Sequence, residues 1–265
     1  MNTFQDYDLF KKKFYEHSNI DLNLYKEKQM KRRITSLIER YGHKSYISFL
    51  SRIKTDPELY DIFINYLTIN VSEFYRNPNQ WILFEKDVLN GVFKHNNKAD
   101  IRIWSSACST GDEPYTAVMI LNKYIPLHKI KVLATDIDIG AINKAKAGLY
   151  TSRSLKDLPE EYFKKHFTLI GDDTYEISAE VKNCVEFKQL NLLEDPYPQK
   201  LDIIICRNVL IYFTEDAKDR IIKKFSQSLN PNGIIFIGST EQIMNYNQFN
   251  IRPIDTFFYQ KTDSV

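Results

Sequence analysis

The sequence predicts an α/β protein in which a Rossmann-like domain with a largely parallel sheet follows an all-helical N-terminal domain. Three observations predict it. Over the first sixty-odd residues apolar side chains recur at helical spacing with no strand-like alternation. From about Asp100 onward, short runs rich in Ile and Val alternate with helical segments, the pattern of βαβ units. Finally, "DTFFYQK" follows "GIIFIGST" without a long helix between them, which suggests a closing antiparallel strand.

The elements follow in order. "YKEKQMKRRITSLIERYG" places Tyr25, Met30, Ile34, Leu37, Ile38 and Tyr41 near one helix face, with Gly42 as a stop. "SYISFLSRI" continues in the same style, and "PELYDIFINYLTI" opens with Pro57, suited to a first helical turn. The helical domain is expected to span 1–68 and the sheet domain 69–265. "IRIWSS", "KIKVLATD", "CVEFKQLN", "KLDIIICRN" and "GIIFIGST" read as strands. The stretch around 150–182 is too long for a loop and lacks a long helix; it is expected to hold a short helix and a hairpin-like excursion, with "TYEIS" its only convincing strand.

Composition excludes several classes. Hydrophobic residues at 43% and charged residues at 26% give an ordinary globular balance. A net charge of +2 points to no nucleic-acid partner, so any working basic surface must be local. Cys108, Cys184 and Cys206 are odd in number and far apart, which fits neither a disulfide framework nor a metal site, and no metal is expected. Reduced cysteines and an N-terminus without an apolar core predict a cytoplasmic protein with no membrane insertion.

The stretch "IWSSACSTGDEPY" carries the first chemical signal. Ala107, Cys108, Ser109, Thr110 and Gly111 lie at the carboxyl end of a strand, where open α/β sheets bind ligands. A helix start normally suits phosphate, but Asp112 and Glu113 occupy its first turn and would repel one. A cationic ligand suits the site better. "ATDID" ends the next strand, and Asp136, twenty-five residues after Gly111, is placed to bind a ribose, with Asp138 capping the following helix. A ribose, a positive charge and no phosphate together point to S-adenosyl-L-methionine. The alternative is that Glu113 and Asp136 are simply helix caps.

Four ordered segments, "NVSEFYRNP", "ACSTGDEPY", "CRNVLIYF" and "GSTEQI", resemble the CheR family, the chemotaxis receptor methyltransferases. The likeness covers nearly the whole chain, including "YKEKQMKRRI" near its start. It implies a class I methyltransferase domain behind a helical domain. The implied activity is methylation of chemoreceptor glutamates with S-adenosyl-L-methionine, leaving S-adenosyl-L-homocysteine, in support of chemotactic adaptation. Position by position, the resemblance assigns Asn70, Ser72, Arg76, Glu113, Asp136, Asn191, Leu192, Arg207 and Asn208 to the cofactor, with Asp136 on the ribose and Asn191 and Leu192 at the adenine. Ser72 stands where threonine is more usual, and Asp112 where a glutamate is more common. Tyr212 is placed beside the reacting methyl, with Phe213 as core.

Arg76 and Tyr212 are the candidate catalytic residues, Arg76 orienting the substrate carboxylate. That carboxylate is ionised near pH 7, so no general base is needed. None of His17, His43, His95, His128 and His166 falls in a motif. Lys31, Arg32, Arg33 and Arg40, in the basic segment Lys26–Arg40, form the candidate docking surface for the cytoplasmic helices of a receptor. The chain is expected to be a monomer. An insert at 150–182 is where some family members bind a receptor tail peptide; here a single convincing strand speaks against it. A base methyltransferase would show an N-P-P-Y-like loop where "CRNVLIYF" stands, and a non-catalytic cofactor sensor is the remaining alternative.

Overall fold

The structure, a computed structural model, describes residues 6–95 and 100–262; the first residues of the N-terminal stretch and the side chain of His95 lie outside the described residues. Contacts divide the chain into two compact units. One takes in the residues up to Asn70 together with Tyr212–Arg220; the other takes in Val71–Ile211 and the chain from Ile221 onward.

The first unit is helical: α1 (Tyr7–Ser18), α2 (Glu27–Arg40), α3 (Tyr46–Ile53) and α4 (Pro57–Thr68). Its boundaries are set by local chemistry. The Ser45 side chain accepts the Ser48 N–H at the start of α3. Asp56 accepts the Leu59 N–H at the start of α4, where Pro57 occupies the first turn. Gly42 lies just beyond α2 with φ +74°. In α2 the buried residues are Met30, Ile34, Leu37 and Ile38, as the spacing predicts. Tyr25 and Tyr41 fall outside the helix instead. Tyr25 packs its ring 4.9 Å from that of Phe213, and Tyr41 is exposed. The core centres on Phe63, whose ring meets Phe10, Phe14 and Phe49 edge-on. Truncating Phe63 to alanine would cost about 3–5 kcal/mol. The segment from Tyr212 joins this unit by backbone bonds, Lys26 N–H to the Tyr212 carbonyl and Thr214 N–H to the Leu24 carbonyl, both 2.9 Å.

The second unit opens with α5 (Pro78–Leu83), which passes through a π-wound stretch, Phe84–Leu89, into α6 (Asn90–His95). Next come β1 (Ile103–Ser105), α7 (Asp112–Leu121), β2 (Val132–Asp136), α8 (Ile139–Ala147) and β3 (Leu149–Tyr150). After them run α9 (Ser152–Leu155), α10 (Glu160–His166), β4 (Phe167–Gly171), β5 (Thr174–Ile177), α11 (Ala179–Lys182) and β6 (Val185–Gln189). The chain closes with β7 (Leu201–Cys206), α12 (Glu215–Ser228, counted with the helical unit as far as Arg220), β8 (Leu229–Ile237), β9 (Ile251–Asp255) and β10 (Phe258–Lys261).

The main sheet has seven strands in the order β6-β2-β1-β7-β8-β10-β9. The pairs β6–β2, β2–β1, β1–β7 and β7–β8 are parallel, and β10 runs antiparallel to both β8 and β9. The order reverses at β1, so its carboxyl end borders the crevice where such sheets bind ligands. Strand β7, "LDIIIC", is buried along its whole length, as expected of a parallel strand covered on both faces. Its Asp202 accepts the Arg102 N–H and the Asn230 amide, which offsets the cost of burying a carboxylate.

Two expectations hold, and the structure adds a strand to each. The closing antiparallel strand is present as β10, and a further strand, β9, pairs antiparallel with it at the edge of the sheet. Strand β9, "IRPID", was hidden because it is an edge strand, carries Pro253 and exposes all but its first residue. The insert holds the expected hairpin, β4–β5, and β3 pairs with the other side of β5 to complete a three-stranded antiparallel sheet, β3-β5-β4. Four of the five β4 residues are exposed and β3 is two residues long, so neither shows the alternation that marks a strand. The short helix expected there is present as α10.

Candidate active site

The loop after β1 is built to turn sharply. Ser106 N–H and Oγ both donate to the Ile205 carbonyl, and Cys108 N–H donates to the Thr135 carbonyl, tying the loop to both neighbouring strands. Ser109 has φ +46° and Gly111 φ +90°. A Cβ on Gly111 would lie 2.9 Å from Ala145 Cβ and 3.1 Å from the Tyr150 hydroxyl, so only glycine fits. The Tyr150 hydroxyl in turn donates to the Thr110 carbonyl at 2.8 Å.

Three acidic side chains gather at this loop. Asp136, at the end of β2, accepts the Ser109 N–H on Oδ2 at 2.8 Å and the Asp138 N–H on Oδ1 at 3.0 Å. Burial still pushes its carboxyl up to about 6, against the pull of those N–H groups. Asp138 caps α8 through the Ala141 N–H, as the sequence predicts. Glu113 accepts the Ser105 hydroxyl at 2.7 Å and lies 3.8 Å from an Arg207 nitrogen. Burial pushes its carboxyl up to about 7 despite Arg207 and Ser105. Asp112 is buried too, with its pKa raised by burial and held back by the hydroxyls of Thr110 and Ser72.

Arg207 follows β7 and is nearly inaccessible, its side chain 3% exposed. One guanidinium nitrogen donates to the Arg76 carbonyl and to Gln80 Oε1, both at 2.6 Å. The plane lies 5.0 Å from the Trp81 ring centre and 4.9 Å from that of Phe236. Burial lowers its pKa to about 10. It therefore acts on the site through Glu113 and through the segment before α5. That segment is held at several points: Phe74 N–H to the Ser154 carbonyl, Tyr75 N–H to Thr116 Oγ1, and Glu73 to Lys156 at 2.9 Å. Arg76 stands between Tyr75 at φ +55° and Asn77 at φ +60°, a strained bend that presents a half-buried guanidinium. One of its nitrogens donates to the Val71 carbonyl at 3.0 Å.

Asn191 follows β6, its Oδ1 accepting the Leu193 N–H and its own N–H donating to Asp195. Leu192 is buried, and its carbonyl accepts from the Tyr197 hydroxyl and from Lys224. Asn208, at φ +60°, gives its N–H to Glu241. Asn70 and Tyr212 belong to the helical unit, where Asn70 donates to Thr68 Oγ1 and Tyr212 is half-buried. Phe213 is core, as expected. In the same unit Arg32 and Arg40 are exposed. Lys31 lies over the Tyr7 ring, and Arg33 donates to the Tyr66 carbonyl and covers its ring. Four contributors went unnoticed in the sequence: Ser105, Gln80, Tyr150 and Glu241. Ser105 stood in the quoted stretch "IWSSACSTGDEPY" and Glu241 in "GSTEQI", but nothing in their spacing revealed a task.

The model of the CheR methyltransferase SAM-binding domain matches residues 70–258, and that of the CheR all-alpha domain matches residues 5–68. The chain belongs to the CheR methyltransferase family. It is an S-adenosylmethionine-dependent methyltransferase with the class I sheet described above. Chemotaxis protein methyltransferases from Listeria monocytogenes and Listeria innocua are 39% and 38% identical to it, over 97% of this chain and 98% of theirs. Chemotaxis protein methyltransferase 2 of Vibrio cholerae is 33% identical over 90% of this chain and 85% of its own.

The donor set of this CheR family member suits its cofactor. Asp136 is oriented by backbone N–H groups, Ser109 on Oδ2 and Asp138 on Oδ1, and a carboxylate so held has acceptor capacity left for a hydroxyl. Glu113 has spare acceptor capacity and a charge that burial disfavours, which a cation would stabilise.

Proposed function

We propose that the protein is a cytoplasmic protein-glutamate O-methyltransferase that converts glutamate side chains on chemoreceptor helices into methyl esters, supporting chemotactic adaptation. The observation that carries this reading is the near full-length likeness to proteins named chemotaxis protein methyltransferase. The site is consistent with it. When bound, S-adenosylmethionine supplies an electrophilic methyl group on a positively charged sulfur.

Asp136 would hold the ribose hydroxyls and Glu113 the cationic end, with Asn191, Leu192, Asn208, Ser72 and Asn70 as further cofactor contacts carried by the family motifs. The loop from Ser106 to Gly111 brings backbone rather than side chains to the ligand. Arg207 keeps Glu113 in place and fixes the carbonyl of Arg76. Arg76, on its strained bend, orients the incoming carboxylate by charge, and Tyr212 aligns it. No residue needs to remove a proton, because a glutamate nucleophile is already ionised near pH 7. Catalysis then rests on positioning nucleophile and methyl in line. Exposed Arg32 and Arg40, with Lys31 and Arg33 beside them, form the docking surface.

The test is transfer of labelled methyl from S-adenosylmethionine to membranes bearing the organism's own chemoreceptors, followed by mild alkali. Label on the receptors that leaves as methanol is the expected result. No label, with cofactor binding intact, would refute it. Tyr212→Phe and Arg76→Ala should lower transfer while retaining cofactor affinity; wild-type turnover in both would remove their roles.

A further inference from the structure

The segment Gly238–Ile243 is the one quoted motif to which no role has been given. We propose that its Glu241 is a positioning residue for the cofactor site, fixing the turn after β7 and with it the placement of Asn208. The inference rests on the reading of Asn208 as a cofactor contact.

Glu241 is 8% exposed and accepts three backbone N–H groups. Oε2 takes those of Asn208 at 2.8 Å and Gly238 at 2.6 Å, and Oε1 takes that of Val209 at 2.8 Å. One side chain thus joins the turn after β7 to the end of β8. Asn208 adopts a left-handed conformation, φ +60°, one that asparagine tolerates better than other side chains but that is held only where its neighbours fix it. Accepting the N–H groups of Asn208 and of the residue after it holds that conformation against relaxation. N–H groups donated to a carboxylate make stronger bonds than those between neutral groups, so the three together hold the turn.

Gly238 shows how tightly the three parts fit. A Cβ there would stand 2.7 Å from the Asn208 nitrogen, 2.7 Å from Glu241 Oε2 and 2.9 Å from the Asn208 side-chain nitrogen. The Asn208 side chain therefore lies against the β8 end, and its position is set by the same carboxylate that sets its backbone. Glu241 also adds negative charge near Glu113, in the sense that favours a cationic ligand.

Glu241→Gln tests the proposal, because glutamine keeps the size but turns an N–H₂ toward backbone donors. In the cofactor-free protein, hydrogen exchange at Asn208, Val209 and Gly238 should accelerate by about ten-fold or more. Calorimetric affinity for S-adenosylhomocysteine should fall by about ten-fold, the equivalent of one such bond. Made in an Asn208→Ala background, Glu241→Gln should weaken binding much less than it does alone. Wild-type exchange and affinity in Glu241→Gln, where Asn208→Ala does weaken binding, overturn the positioning role alone. An Asn208→Ala protein with wild-type affinity overturns the reading of Asn208 and the proposal together. If Glu241→Gln does not fold, Gly238→Ala, which intrudes on the same contact, must give the loss of affinity. Failure of both to fold would place Glu241 in fold stability, and that too overturns the proposal.

Discussion

Asp136 and Glu241 are both buried carboxylates that accept backbone N–H groups at strand ends, and they differ in how those groups are shared between their oxygens. Glu241 takes three N–H groups, two of them on one oxygen, and joins two turns. Asp136 takes the Ser109 N–H on Oδ2 and the Asp138 N–H on Oδ1, joining the turns after β1 and β2, while burial still holds its carboxyl near 6. Glu113 goes further in the same direction, with one hydroxyl partner, a guanidinium 3.8 Å away and a carboxyl near 7. The fewer donors a buried carboxylate has from its own chain, the more a ligand can give it. By that measure Glu113 is the carboxylate with most to gain from a cationic ligand.

The strongest way to break this contrast is to remove the cation that Glu113 does have. Arg207→Ala leaves Glu113 buried without its counter-charge and orphans Gln80 Oε1 and the Arg76 carbonyl. A loss of about 3–5 kcal/mol of stability is expected, read by denaturant unfolding, together with loss of methyl transfer. A loss under about 1 kcal/mol would mean that Arg207 is not the buried partner described here. Gly111→Ala comes next. It adds a Cβ 2.9 Å from Ala145 Cβ at a φ of +90°, and overpacking of this kind costs about 1–3 kcal/mol. The same loop bonds to Asp136, so cofactor affinity should fall with stability. In an Asp136→Ala background the affinity loss should shrink.

These effects also show how far the sequence could be read. Helix α2, the β1 and β2 strands, and the acidic residues at their ends were legible because each is announced locally: a helical period, an apolar run, a carboxylate after a strand. Asp136 and Glu113 were singled out in this way, and the cap at Asp138 is present as read. Glu241 was not, because its partners at Asn208 and Val209 are 33 and 32 residues away in sequence. Arg207 was seen as a cofactor residue, but its bond to Gln80 spans 127 residues and redirects it toward the protein. The strands β4 and β9 escaped for the opposite reason: exposed edge strands carry almost no burial pattern.

A change of pH sharpens the contrast without any mutation. Glu113 and Asp136 have carboxyls raised in the folded protein to about 7 and about 6, from ordinary values of 4.5 and 3.8. Between the ordinary and the raised values the folded chain binds more protons than the unfolded one. Stability from these groups is therefore greatest at low pH and falls as pH rises through that window. Binding of a cation favours the ionised Glu113, so cofactor affinity should rise from pH 6 to pH 8 and then level off. A rise of about ten-fold corresponds to one unit of change in the carboxyl. Glu113→Gln should flatten this profile and weaken binding at pH 8. A profile in Glu113→Gln as steep as in the wild type would assign the proton to Asp136 instead.

The smallest effects should come from charges that face water. Arg32 and Arg40 are exposed on α2, Arg40 with its guanidinium 5.6 Å from the Tyr66 ring centre, whereas Arg33 lies 4.7 Å from that ring and also donates to the Tyr66 carbonyl. Reversal of Arg32 or Arg40 to glutamate should change stability by no more than about 1 kcal/mol, because an exposed charge is hydrated and screened. Its effect belongs to encounter with an acidic partner. The apparent affinity for receptor membranes should drop at low salt and converge on the wild-type value as ionic strength rises. Arg33→Glu differs in kind, since it also removes a bond inside the helical unit and should lower the unfolding midpoint. A salt-independent loss at Arg32 and Arg40 would mean that these residues act through a fixed contact, by the same logic that sets Glu241 apart from Glu113.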